Sequence, residues 1–167
     1  MTAGNDRVAG GSGIAARDWS VSDWWRNQAA WDALLVRSEA DSLFLSWGWL
    51  THWWQCYGDA MGYSPRIAAF YRGNDLVGLA PFYYRLVRRG AVVLTGSVQI
   101  IGLSWRDPEP LISEYLDVIA APDDAIAVRA ACVSRLAEDP SWQELVIGLT
   151  AAGEQWRDAI AACVPRG

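Results

Sequence analysis

The sequence predicts an α/β (α+β) domain: a mixed, mostly antiparallel sheet with helices on both faces. Three observations predict it. Residues 66–103 carry apolar runs separated by turn residues, first Gly73-Asn74-Asp75 and then Arg88-Arg89-Gly90, the pattern of a strand meander. Two stretches before the meander space their apolar residues as helices do. After it come an apolar run, a helix opened by Pro122, a second apolar run and a last helix. A strand–helix–strand unit of that kind returns by a right-handed crossover and favours a parallel pair.

Composition bounds the function classes. The chain has 167 residues, 52% of them hydrophobic and 20% charged, which suits one globular domain with a real core. The net charge is −5, so a nucleic-acid partner is not expected. Every basic residue is arginine, which removes Schiff-base and P-loop lysine chemistry. Cys56, Cys132 and Cys163 are far apart and odd in number, which points away from a disulfide framework and toward a reducing, cytoplasmic setting. His52 is the single histidine, and with scattered cysteines it makes no metal site. MTAGNDRVAGGSG has no apolar core of a signal peptide, and no apolar run reaches the roughly 18 residues of a membrane span.

Taken in order, residues 1–16 are Gly/Ala-rich without hydrophobic period and read as a flexible tail. GSGIAA (11–16) fits a dinucleotide fingerprint formally but lacks a strand before it. A short strand is expected around 17–21. Ser22 is the expected N-cap of a helix to about Ser38, with Trp24, Gln28, Trp31 and Leu35 on one side. FLSWGWLTHWWQCYG (44–58) is the second helix, capped by Ser46 and ended at Gly58. At about 100° per residue, Trp49, Leu50, Trp53, Trp54 and Tyr57 fall on one arc, with Gly48, Thr51 and Gln55 opposite. That arc is the expected sheet-facing side, because each ring buries on the order of 150–250 Å². Trp47 sits at its edge and is the ring expected to be partly exposed.

The strands follow. RIAAFYR (66–72) and LVGLAPFYYRLV (76–87) flank the Gly-Asn-Asp turn. Gly78 and Pro81 mark a bulge or a local break in the second. AVVLTG (91–96) and VQIIGL (98–103) read as two short strands, and ISEYLDVIA (112–120) as another. Pro122 starts a helix that stops before Pro140, with Ile126, Ala130, Val133 and Ala137 as its expected buried face. ELVIGL (144–149) is a strand. Residues 152–162 form the last helix, with Ala159, Ile160 and Cys163 on its apolar side.

Residues 31–58, 66–85 and 101–125, in this order, resemble the N-terminal part of GNAT acyltransferases of the CelD-like, cellulose-biosynthesis-like group. The carriers are W-x-x-x-W-W (Trp49, Trp53, Trp54), D-L-V-G-x-A-P (Asp75 to Pro81) and S-E-Y-L-D (Ser113 to Asp117). The resemblance spans roughly residues 31–149. It implies a GNAT-like fold for residues 17–163 as the first lobe of a FemAB-related two-lobe protein. It also implies acyl transfer from acyl-CoA (acetyl-CoA) or a similar thioester to an amine on a small-molecule, polysaccharide or cell-envelope acceptor. A second GNAT lobe or a homodimer partner is then expected.

The donor site of that fold uses a glycine-rich strand-to-helix turn whose backbone N–H groups cradle pyrophosphate. Here the turn is AAPDDAIA (120–127), without glycine and with two aspartates. Like charges a few ångströms apart repel by about 1–4 kcal/mol, so acyl-CoA is expected on the missing second lobe. Glu114 or Asp117 is a candidate base and Tyr115 a candidate acid, alternation placing Tyr115 and Asp117 on one strand face. The plainer alternative pairs Glu114 with Arg85 or Arg106 and leaves Tyr115 in the core. Trp47, Arg85 and Arg106 are the candidate substrate contacts; Arg85, Arg88 and Arg89 cluster at one strand end. A non-catalytic lobe that binds the acceptor or docks a second lobe is the rival reading, and a sugar-binding module with surface tryptophans is a third.

Overall fold

The computed structural model describes residues 7–8, 13–40, 43–105 and 110–163. Its strands are β1 (Arg7–Val8), β2 (Ile14–Trp19), β3 (Ser64–Arg72), β4 (Asp75–Arg89), β5 (Val93–Ile100), β6 (Ile119–Ala120) and β7 (Glu144–Val146). Its helices are α1 (Val21–Arg26), α2 (Gln28–Arg37), α3 (Trp47–Trp53), α4 (Ala125–Ala137) and α5 (Gly153–Cys163). The strands join in one sheet ordered β1-β2-β3-β4-β5-β7, with β6 also paired to β4. Every pairing is antiparallel except β5 with β7. The sheet is therefore mixed and mostly antiparallel, as the meander predicts.

β4 is the central strand, and each of its faces carries helices. Tyr83 stacks on Tyr63 at 4.9 Å and meets Trp53 at 5.5 Å and Trp54 at 6.4 Å, so one face receives α3 and the turn after it. On the other face Phe82 meets Trp156 of α5 edge-on at 6.3 Å. Gly78 lies under Val128 of α4, where a Cβ would come within 2.6 Å of both valine methyls. The register slips between Phe70 and Tyr71 opposite this glycine, which is the expected bulge. Pro81 sits where β4 exchanges neighbours, β6 at Gly78–Leu79 and β5 from Phe82 onward. Its carbonyl accepts from Ile101 N–H at 2.7 Å, so the donor that proline lacks falls at that gap.

Several elements differ from expectation. β2 begins at Ile14, so Ile14, Ala15 and Ala16 belong to the sheet and not to a tail, and Ile14 is fully buried. β1 pairs with Ala15 and Ala16 ahead of it. The first helix is two: Ser20, not Ser22, caps α1 through a reciprocal box with Asp23, and Asn27 separates α1 from α2. The Asn27 side chain donates to Asp23 O at 2.8 Å, which closes α1. Gln28, expected on the buried side, is exposed.

The tryptophan helix starts at the Ser46 cap as predicted and ends in a wider i→i+5 turn over Trp54–Gly58. Gly58 is required there, since a Cβ would meet the Trp54 ring at 2.4 Å. Leu50, Trp53 and Trp54 are buried, and Trp49 and Tyr57 partly so. Thr51, placed opposite by helical period, is also buried, its hydroxyl donating to Trp47 O at 2.7 Å.

Residues 91–103 contain one strand, β5 over Val93–Ile100, rather than two. Gly96 does not break it: its missing side chain admits Ser141 O, which a Cβ would meet at 2.4 Å. Residues 112–120 are not a strand. They make one bridge, Leu103 with Ile112, and the two-residue β6. α4 buries Val128, Ala131, Cys132 and Val133, while Ile126 is 80% exposed and Ala137 is exposed. The helix opens through a tight turn at Pro122–Asp124, and its packing against both β4 and α5 turns a different stripe inward. In α5 the buried residues are Trp156 and Ala159, with Ile160 exposed. The parallel pair predicted from the last crossover forms, but between β7 and β5.

Candidate functional site

The loop from Ile112 to Ala121 builds the site. Ser113 ties its start to the core: its N–H donates to Gly102 O at 3.0 Å, and its hydroxyl accepts from Trp49 Nε1 at 3.0 Å. Leu116 and Val118 are buried and act as pegs. Tyr115, between Glu114 and the first peg, has φ +55° and is 55% exposed. A non-glycine residue in the left-handed region costs on the order of 1–3 kcal/mol, which the pegs on either side must offset. The strain turns an aromatic ring outward.

Asp117 is held in place by its neighbours. Its Oδ2 accepts from Arg129 Nη2 at 2.6 Å, and its Oδ1 accepts from Val118 N–H at 2.7 Å and Trp156 Nε1 at 2.8 Å. Arg129 Nε adds a longer contact at 3.4 Å to Oδ1. Both ion-paired side chains are only 13% exposed. The carboxylate is an anchor joining loop, α4 and α5, with little acceptor capacity left for a substrate proton.

Around these residues lies a cleft of about 600 Å³. Its walls are Glu39 and Ala40 after α2, the Tyr115–Val118 stretch, the opening of α4 with Pro122 and Ile126, and the start of α5 with Ala152 and Gln155. The volume suits a sugar-sized ligand. The polar groups that meet in it are Glu39, Tyr115, Gln155 and the Asp117–Arg129 pair. With that pair self-neutralised, Glu39 leaves the lining net negative.

The helix turn beside the cleft has no glycine, and its two aspartates are unequal. Asp124 is buried and ion-paired with Arg72 at the end of β3, whereas Asp123 is exposed. The repulsion expected of two free carboxylates is therefore reduced to that of one.

Of the six candidate site residues, the fold brings Tyr115 and Asp117 together at the cleft. Glu114 is exposed, outside the cleft lining, and has no ion pair among the described residues. Arg85 lies over the Tyr63 ring, 5.0 Å from its centroid, and donates to its hydroxyl at 3.0 Å. The expected Glu114–Arg85 pair is not what holds this arginine. Trp47 donates to Trp24 O at 3.2 Å with its ring edge-on to Trp25 at 5.6 Å, a packing role away from the cleft. Arg106 lies outside the described residues. Tyr115 is on the surface and not in the core.

Glu39, Arg129, Gln155 and Trp156 were not singled out from sequence. Arg129 had a signal: it is the one charged residue between Asp124 and Arg135, inside an otherwise apolar run, which asks for a buried partner. No group of three or more His, Cys, Asp or Glu side chains among the described residues could hold a metal ion. No helix among them is long and apolar enough to cross a membrane. Compared with known family models, curated proteins and solved structures, the chain matches none.

Proposed function

We propose that this chain is the acceptor-binding lobe of an amine-acylating protein, with the thioester donor held by a second lobe. The acyl-transfer part of the reading comes from the resemblance of residues 31–149 to CelD-like GNAT proteins. The observation that carries the acceptor part is the cleft lining: an outward tyrosine ring, an amide at Gln155 and a carboxylate at Glu39 that has no ion pair among the described residues. A ring gives the apolar face of a sugar something to stack on, and a carboxylate selects an ammonium group. The same carboxylate, with Asp123 following the lining residue Pro122 and no glycine in the turn, disfavours the polyanionic diphosphate of CoA. Asp117, committed to Arg129 and Trp156, serves as a support and not as the base. A reducing, cytoplasmic setting is part of this reading, supported by three free cysteines.

Thermal denaturation with glucosamine, N-acetylglucosamine and acetyl-CoA tests it. The expected result is stabilisation by the free amine, a weaker effect of the acetylated sugar, and none from acetyl-CoA. Anything that binds only the folded state raises stability by mass action, about 2.7 kcal/mol at a hundredfold excess over Kd. Glu39→Gln should erase the preference for the amine. Stabilisation by acetyl-CoA, or transfer of its acetyl group by the isolated chain, would mean that this lobe holds the donor.

A further inference from the structure

The β4–β5 hairpin ends in a tip that is apolar, exposed and flanked by arginine. Gly90, at φ +63°, makes the turn, and Ala91, Val92, Val93 and Leu94 follow it, all exposed. Val92 is 87% exposed, and Leu86, Val93 and Leu94 are each more than half exposed. The cross-strand register sets Arg88 opposite Leu94 and Arg89 opposite Val93. Arg88 closes the turn by donating to Ala91 O at 2.6 Å, and no ion pair engages it among the described residues. Arg89 reaches back from the tip to Glu144 at 2.5 Å.

Two features select the occupant. Successive strand residues point to opposite faces, so Val93 and Leu94 expose apolar surface on both sides of the ribbon. A protein partner seated on the hairpin would cover one face, whereas a fluid apolar phase surrounds both. The second feature is charge. The chain as a whole is acidic at −5, yet this tip pairs its apolar residues with arginines and has no carboxylate of its own. Exposed Val36 and Ile126 lie one to a helix elsewhere and have no such setting.

We propose that the hairpin tip inserts into the interface of an anionic lipid bilayer. Val92, Val93 and Leu94 enter the boundary between headgroups and acyl chains. Arg88 extends its stem along the ribbon and keeps its charge at the phosphate level, while Arg89 stays paired with Glu144 at the base of the tip. The contact is peripheral, without a membrane span, and it is independent of the acceptor cleft.

Co-sedimentation with vesicles tests it, comparing phosphatidylcholine alone with phosphatidylcholine containing phosphatidylglycerol. The full chain is expected to pellet with the anionic vesicles, less so at high salt, and to remain in solution with the neutral ones. Val92→Asp combined with Leu94→Asp should lower the partition coefficient by tenfold or more, and Arg88→Gln by about fivefold, the equivalent of one basic side chain at an anionic surface. Val36→Asp, also at an exposed valine (86%) and with the same charge change as either single aspartate, should leave partitioning near wild type. All four positions are exposed, and circular dichroism verifies that each variant is folded. The proposal is overturned if wild type ignores both vesicle types, if Val36→Asp reduces binding as much as the tip variants, or if the chain is a dimer that the tip substitutions dissociate. The last result would assign the tip to a second copy.

Discussion

Trp156 donates its indole N–H to Asp117 at 2.8 Å across 39 residues of sequence, onto a carboxylate that Arg129 grips from α4 at 2.6 Å. One aspartate in a loop thus fixes two helices against each other and against the sheet edge. The cleft floor is part of that arrangement, since Asp117 and Arg129 both line it.

Removing the aspartate should therefore cost more than removing either donor's hydrogen bond. Asp117→Ala leaves the Arg129 guanidinium buried without a counter-charge, a loss of about 3–5 kcal/mol. Trp156→Phe keeps the ring against Phe82 and gives up one hydrogen bond to a charged group, about 1.5–3 kcal/mol. Urea denaturation of the two variants checks the order. Equal losses would mean that ring packing, not the charge, is what the loop depends on.

The same aspartate bears on Cys132, which is buried in α4. Burial pushes the thiol well above its ordinary range, and the nearby Asp117 charge pushes in the same direction. Thiolate is the reactive form, so Cys132 should resist maleimide and disulfide reagents from pH 6 to 9 in the folded protein. Cys56, which is exposed, should react readily. Mass spectrometry after brief labelling distinguishes them; rapid modification of Cys132 in folded protein would show that α4 opens locally.

Why some of this was legible in sequence and some not follows from the range of the interactions. The tryptophan helix and the β3–β4 turn are local patterns, a 3.6-residue period and a Gly-Asn corner at Gly73 with φ +62°. Ile112, Glu114, Leu116 and Val118 alternate as a strand does, yet the segment is a loop. Period two reports which side chains are buried, and Leu116 and Val118 are buried as pegs without a ladder between them. Ser20 and Ser22 are both plausible caps, and only the reciprocal bonds with Asp23 decide between them. The cleft was the least legible part. Glu39, Tyr115, Arg129 and Gln155 come from four separate segments, and nothing in their spacing announces that they meet.

Gly78 offers a test of how closely α4 lies on the sheet. A Cβ there would stand 2.6 Å from both Val128 methyls, inside any real contact distance. Gly78→Ala should destabilise by about 1–3 kcal/mol through overpacking. Val128→Ala alone should cost about 1–3 kcal/mol as a cavity. The double variant should be more stable than the sum of the two losses, because each change makes room for the other. Strict additivity by chemical denaturation would mean that helix and strand are not in contact at this point.

The α1 cap predicts a pH dependence whose sign can be fixed. The Asp23 carboxyl is held below its ordinary value chiefly by the Ser20 hydroxyl, then by the Ser20 backbone N–H, and then by the Arg26 side chain. A depressed native pKa means that the unfolded chain binds the proton more readily. The stabilisation is complete above the unfolded value of about 3.9 and is lost as pH falls through the lower native one. Ser20→Ala removes the first cause and the cap itself, at a cost of about 1 kcal/mol near neutrality. The stability difference between wild type and Ser20→Ala should therefore shrink between pH 5 and pH 3. It should not vanish, because the Ser20 hydroxyl still accepts from Asp23 N–H at 3.1 Å when the carboxyl is protonated. Arg26→Gln should shift the same window less, being the weaker influence on this exposed carboxylate. Urea midpoints at pH 7, 5 and 3 measure all three chains, and a difference that grows on acidification would reverse the assignment of Asp23 as an ionised cap.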